Sequence, residues 1–156
     1  MKVHTLLSSE LVLPDLASRT RDAVLEEMVR SLKSKEKINK DRELLEKLIQ
    51  RENLGSTAIG EGVAVPHCKL KEIQSPLLAL ARSKKGVEFA SIDGKPAQVF
   101  FLVVSSPDNP SQSLQILAAI AHLVRGSPSL VKKILAARSP GKIIEVIREE
   151  EEKGNA

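Results

Sequence analysis

With 156 residues, the chain has room for one domain of ordinary size and not for two. Its 42% hydrophobic and 28% charged residues are globular rather than disordered proportions, and a chain of this length needs no disulfide or metal staple to fold. The absence of Trp and Tyr, with only Phe89, Phe100 and Phe101 as rings, excludes a base-stacking platform and an aromatic-anchored surface; a net charge of +4, with cations scattered along the chain, reads as a solvated surface and not a nucleic-acid footprint.

The start of the chain leads into no apolar run of signal-peptide length. The densest apolar runs, 99–104 and 114–124, are too short or too interrupted (by Gln115 and His122) to span a bilayer, so a cytoplasmic protein without membrane insertion is expected. Residues 20–32 read as a helix: Val24, Leu25, Met28, Val29 and Leu32 recur at helical spacing, and Thr20 is placed to cap it. A second helix, capped by Asn39, carries the stripe Leu44, Leu45, Leu48 and Ile49. Gly55, Gly60 and Gly62, with Ser56 and Thr57 among them, mark a loop, and residues 63–65 read as a short strand stopped by Pro66.

Further strands are expected at 77–82, at 88–91 before an Asp93-Gly94 turn, and at 98–105, whose unbroken apolar character suits a strand buried on both faces. After the loop 107–110, a helix starts at Ser111 or Ser113 and runs to about Arg125; Ser127-Pro128 and Ser139-Pro140 each fit the N-cap and first position of another. Residues 149–156, opening with four glutamates, read as a charged tail beyond a core of about 5–148. Helices, then strands, then helices in one domain predict an α/β fold, one sheet covered on both faces.

Chemistry concentrates in 51–67. A cation ends a helix, a flexible hydroxyl-bearing loop follows, and a short strand delivers His67 behind Pro66, which stiffens the backbone there. A neutral imidazole is a competent nucleophile, and a guanidinium such as that of Arg51 matches phosphoryl oxygens in a bidentate way. Gly55 and Gly60 have the spacing of a P-loop, but Glu61 stands where its lysine is required, which argues against nucleotide binding of that type. Each piece also has a structural reading: an arginine offsets a helix dipole, glycines make turns, and a lone histidine is more often structural than catalytic. The one cysteine, Cys68, excludes an internal disulfide. It makes a poor partner for His67, because adjacent side chains of an extended chain point apart. No set of metal ligands is evident.

The run from Arg51 to His67 resembles the signature of the type-2 enzyme IIA family of the phosphoenolpyruvate-dependent sugar phosphotransferase system, R-E-x-x-G-S-T-x-I-G-x-G-x-A-[IV]-P-H, at every fixed position. The resemblance extends over essentially the whole chain and implies a single mixed sheet flanked by helices on both faces. It also implies a phosphoryl carrier: His67 takes a phosphoryl group from the phosphocarrier HPr as a phosphoramidate and passes it to a IIB component, or uses it as a switch toward regulatory targets. The free-standing chain leans toward the nitrogen-regulatory branch. No metal, nucleotide or other cofactor is required. Arg51 matches the arginine that stabilises the phosphoryl oxygens, and Ser56 and Thr57 match the loop hydroxyls.

One departure stands out. The family commonly carries a second histidine in H-L-x-x-L, and here that run is Ser113-Leu114-Gln115-Ile116-Leu117. Ser113 can donate a hydrogen bond but supplies no positive charge. His122 lies nine residues further on, on roughly the opposite helix face at about 100° per residue, and is expected to be structural or exposed. His4, near a terminus, carries no signal. The rival reading from another class is a non-catalytic regulatory module that keeps the scaffold.

Overall fold

The computed structural model describes residues 1–154. Two short 3-10 turns, Val3–Leu6 and Ser9–Leu11, lead into β1 (Val12–Leu13). Thr20 caps α1 (Arg21–Ser34) as expected, its hydroxyl accepting from the Ala23 N–H, and the predicted stripe is buried. α2 (Asp41–Leu54) is not capped by Asn39. Lys40 occupies the cap position, and the backbone N–H groups of Asn39 and Lys40 donate to the Glu72 carboxylate at 3.0 and 2.7 Å. A distant carboxylate thus does the work of a local cap at the positive end of the helix.

β2 (Ala58–Gly60), β3 (Val63–Ala64), β4 (His67–Lys69), β5 (Leu77–Val87) and β6 (Ala97–Ser105) complete the sheet, followed by α3 (Pro110–Gly126), α4 (Leu130–Ala136) and α5 (Pro140–Gly154). The sheet is mixed. β1 lies parallel to β5, β5 antiparallel to β6, and β3 and β4 parallel to β6, with β2 antiparallel to β3 at the edge. Alternation along β6 divides the core. Phe100, Leu102 and Val104 pack under α1 and α2, whereas Val99, Phe101 and Val103 pack under α3, α4 and α5. Each buried Leu, Ile or Phe contributes about 1.5–3 kcal/mol, so helices on both faces are what make this apolar strand possible.

Four local expectations are corrected. Residues 88–91 form no strand: β5 continues to Val87 past an irregularity in its pairing with β6, and the chain then leaves the sheet through Ala90 at φ 55°. Gly86 sits at φ +81°, where an added Cβ would stand 2.9 Å from Pro96 Cβ, so this bend tolerates no side chain. α3 starts slightly earlier than expected, at Pro110, capped by the Asn109 side chain accepting from the Gln112 N–H. α4 starts at Leu130 with Ser129 at its cap position, and the Ser127 hydroxyl, turned toward α5, donates to the Glu150 carboxylate at 2.8 Å. The run 149–152 is not a solvated tail but the last turns of α5. Glu150 pairs with Lys133, and Glu151 accepts from the Val3 and His4 N–H groups at 2.6 and 2.9 Å. Ser139 does cap α5, accepting from the Lys142 N–H. No single helix among the described residues is long and apolar enough to cross a membrane.

Candidate functional site

Pro66 interrupts a strand without ending it. Val63 lies opposite Val99, and His67 lies opposite Val103 in the same register. Pro66 has no N–H to give, but its carbonyl accepts from the Val103 N–H at 2.9 Å, so β4 resumes where β3 left off. His67 therefore stands on a strand held to the central β6 and not at a loose strand end. Strand parity sends Val63 and Val65 into the α3–α5 core, and His67 shares their side. Cys68 packs on the α1–α2 side, where burial pushes its thiol up to about 12 despite the nearby Lys47. The two neighbours form no dyad.

The His67 ring is oriented by its own backbone. Nδ1 lies 2.8 Å from the Val65 carbonyl oxygen. A carbonyl only accepts, so Nδ1 carries the proton, and the neutral ring keeps its lone pair on Nε2. The ring lines a cavity of about 200 Å³ together with Arg51, Ser56, Thr57, Ile59, Val65, Leu117 and Ala121. A larger cleft of about 480 Å³ between α4 and α5 has no histidine or cysteine in its wall.

Arg51, in the last turn of α2, donates from Nη1 to the Gly55 carbonyl at 2.8 Å and makes no other side-chain hydrogen bond or ion pair among the described residues. It serves the helix end and the cavity at once. The two loop hydroxyls are committed elsewhere. Ser56 donates to the Phe89 carbonyl and accepts from the Ala58 N–H at 3.0 Å, while Thr57, buried, donates to the Glu52 carboxylate through both its hydroxyl and its backbone N–H. As they stand, they shape the loop.

Glu52 is the residue that reasoning from the sequence passes over. It is only 4% exposed, a carboxylate folded back from the end of α2 to pin Thr57. Its signal was present: Leu44, Leu48 and Glu52 recur every four residues, which places the carboxylate on the buried stripe. Asp93, expected only as a turn residue, also holds the glycine loop. The turn between β2 and β3 holds three successive residues at positive φ, Gly60, Glu61 and Gly62, and Asp93 accepts the Glu61 N–H at 3.0 Å. Bonds from the Ser91 hydroxyl, and from the Lys95 and Glu61 amides, hold the Asp93 carboxyl below its usual range.

Arg51, Ser56, Thr57 and His67 thus share one cavity, and Ser113 does not line it. Ser113 is buried in α3, but the helix meets the cavity one and two turns later, through Leu117 and Ala121. His122 is exposed and faces a separate cavity beside Met1 and Lys2. Among the described residues, no group of three His, Cys, Asp or Glu is placed to hold a metal ion.

Residues 5–150 match the family described as phosphoenolpyruvate-dependent sugar phosphotransferase system, EIIA 2. The chain belongs to this family. Among EIIA 2 relatives, a nitrogen regulatory protein of Bradyrhizobium diazoefficiens is 33% identical over 94% of this chain and 95% of its own length. The fructose-specific EIIABC component of Bacillus subtilis is 32% identical over 96% of this chain, which spans only 23% of that longer protein. The crystal structure of nitrogen regulatory protein IIA-Ntr from Neisseria meningitidis has the same fold, with a TM-score of 0.84 at 23% identity over 93% of this chain and 98% of that one. So does a complex of enzyme IIAMtl with phosphorylated enzyme IIBMtl from Escherichia coli, with a TM-score of 0.77 at 16% identity over 92% of this chain and 97% of that one. Six residues of the run from Arg51 to His67 line the cavity: Arg51, Ser56, Thr57, Ile59, Val65 and His67.

Proposed function

We propose that His67 carries a phosphoryl group on Nε2, accepted in the cytoplasm from an HPr-type phosphocarrier. The group is then passed to a IIB component or retained as a two-charge switch toward regulatory targets, with the nitrogen-regulatory branch favoured. One observation carries this reading: the Nδ1–H to Val65 bond leaves the Nε2 lone pair free in a cavity that also contains Arg51.

Transfer forms the Nε2–P bond as the bond from phosphorus to the donor's leaving atom breaks, and the leaving atom keeps that electron pair. Nε2 has no proton to lose, and the Nδ1 proton stays on the ring, donated to the Val65 carbonyl. A loose, in-line transfer of this kind needs positioning and charge stabilisation more than added chemistry. Arg51 supplies the charge through a fork that matches phosphoryl oxygens. Ile59, Val65, Leu117 and Ala121 give the cavity an apolar wall, which lowers the local dielectric and strengthens the arginine contact. Leu54 at the end of α2, Ile59 in β2 and Leu114 in α3 are exposed apolar side chains suited to a docking protein.

The test is incubation with phosphoenolpyruvate, enzyme I and HPr. The protein is expected to gain acid-labile phosphate, and His67→Ala is expected to gain none. Failure of the unmodified chain to label, or equal labelling of His67→Ala, would overturn the carrier reading. The first result would favour a non-catalytic regulatory module instead, a reading motivated by Ser113 in place of the family's second histidine and by the committed hydroxyls of Ser56 and Thr57.

A further inference from the structure

Cations that look scattered along the chain meet at the edge of the sheet formed by β1 and β5. Arg19, Arg82, Lys84 and Lys85 line one cavity of about 220 Å³, with Asp15 as its only carboxylate. It shares no residue with the His67 cavity and lies on the opposite edge of the sheet from β2.

Arg82 is the unusual member. Its side chain is only 5% exposed and is held by three backbone carbonyls: Nε donates to Pro14 at 2.8 Å, and Nη1 donates to Ile134 at 2.9 Å and Ala137 at 2.6 Å. That uses both hydrogens of Nη1. Nη2 has two N–H groups and no hydrogen bond among the described residues, since Asp15 Oδ1 stands 3.9 Å away on a side chain that is 81% exposed. Arg19, Lys84 and Lys85 are exposed, and their side chains make no hydrogen bond or ion pair among the described residues.

We infer that this cavity binds the phosphate or pyrophosphate group of a small soluble ligand. A buried guanidinium locked by carbonyls loses no further freedom when it captures an anion, so the site is already organised. Four cations against one carboxylate, on a low-dielectric wall, concentrate a positive field that a multivalent anion would relieve. A two-donor edge flanked by flexible ammonium groups suits phosphoryl oxygens. No aromatic residue lines the cavity, so recognition falls on the anionic group and not on a stacked base.

The test is two-dimensional ¹H–¹⁵N NMR of the full chain, titrated with sodium pyrophosphate or orthophosphate against sodium chloride at matched ionic strength. Saturable shifts are expected at the amides of Leu16 and residues 82–85, with pyrophosphate binding more tightly than orthophosphate. The double variant Arg19→Gln/Lys84→Gln, both surface changes, should weaken binding about tenfold or more, the scale of one or two charge-assisted contacts. Asp15→Asn should tighten it severalfold by removing the carboxylate that competes for Nη2. Arg82 itself is left intact, because its loss would orphan three carbonyls. Shifts that track ionic strength alone, saturation confined to the amides around Arg51 and His67, or affinities indifferent to both variants would overturn the inference.

Discussion

His67 and Cys68 are consecutive residues of one strand, and the sheet gives them opposite surroundings. His67 faces the α3 side, in a cavity with a guanidinium, and its ring is turned by a backbone carbonyl so that one nitrogen is free. Cys68 faces the α1–α2 core, where burial suppresses the thiolate that would make it reactive. Strand parity and what covers each face thus decide that the imidazole, and not the thiol, opens on the cavity. The same division runs through the neighbouring strand, where Phe100 and Phe101 point into separate cores.

That comparison can be broken first at the phenylalanines. Phe100→Ala and Phe101→Ala should each cost about 3–5 kcal/mol by urea denaturation. Phe100 also packs edge-on against Phe89 with ring centroids 5.2 Å apart, so its loss should exceed that of Phe101 by about 0.5–1 kcal/mol. Only Phe101→Ala, on the His67 side, should also slow phosphoryl uptake; equal slowing by both would mean that the faces are not independent.

The next largest effect is on the thiol. With Cys68 pushed up to about 12 by burial, alkylation by iodoacetamide at pH 8 should be more than about a hundredfold slower in the native chain than in urea. Comparable rates would show that the two faces do not differ as described. On the other face, Arg51→Lys should slow phosphoryl uptake from HPr about 10–100-fold, because an ammonium lacks the two-donor fork. The melting temperature should hardly move, and an unchanged uptake rate would remove Arg51 from the site.

The smallest effect lies at the end of α5. Lys133, and more weakly the Ser127 hydroxyl, hold the Glu150 carboxyl below its usual range against the opposing effect of burial. A depressed carboxylate contributes stability that is present above its ordinary value and is lost as pH falls through its folded value. Glu150→Gln should therefore cost about 1 kcal/mol near neutral pH and flatten the loss of stability below about pH 4.5. A variant with wild-type acid sensitivity would place the titrating group elsewhere.

Much of the site was legible because it is local. Residues 51–67 are contiguous, and their spacing already joins an arginine, a glycine loop and a histidine behind a proline. The covered sheet was legible in the unbroken apolar run of β6, and α1 in its stripe and cap. Errors fell where distant residues set the geometry: Glu72 supplanted Asn39 as the cap of α2, and the Ser127 hydroxyl turned to the Glu150 carboxylate on α5. Hydrogen bonds between residues far apart in sequence leave no periodic trace, and even the short-range bond of Glu52 to Thr57 could be suspected only from the place of Glu52 on a buried stripe.

The sequence by itself determined the family and the α/β class, and it singled out His67, since each rests on contiguous pattern or short-range periodicity. Tertiary structure alone decided which nitrogen of that histidine is free, that Leu117 and Ala121 rather than Ser113 wall the cavity, and that the glutamates at 149–152 are helix and not tail. It also decided that cations which look evenly spread should meet around Arg82. The ring nitrogen is set by a carbonyl two residues away; for the other three the reason is common. Periodicity tells which side of an element is buried, but only the packing of elements distant in the chain tells what each side meets.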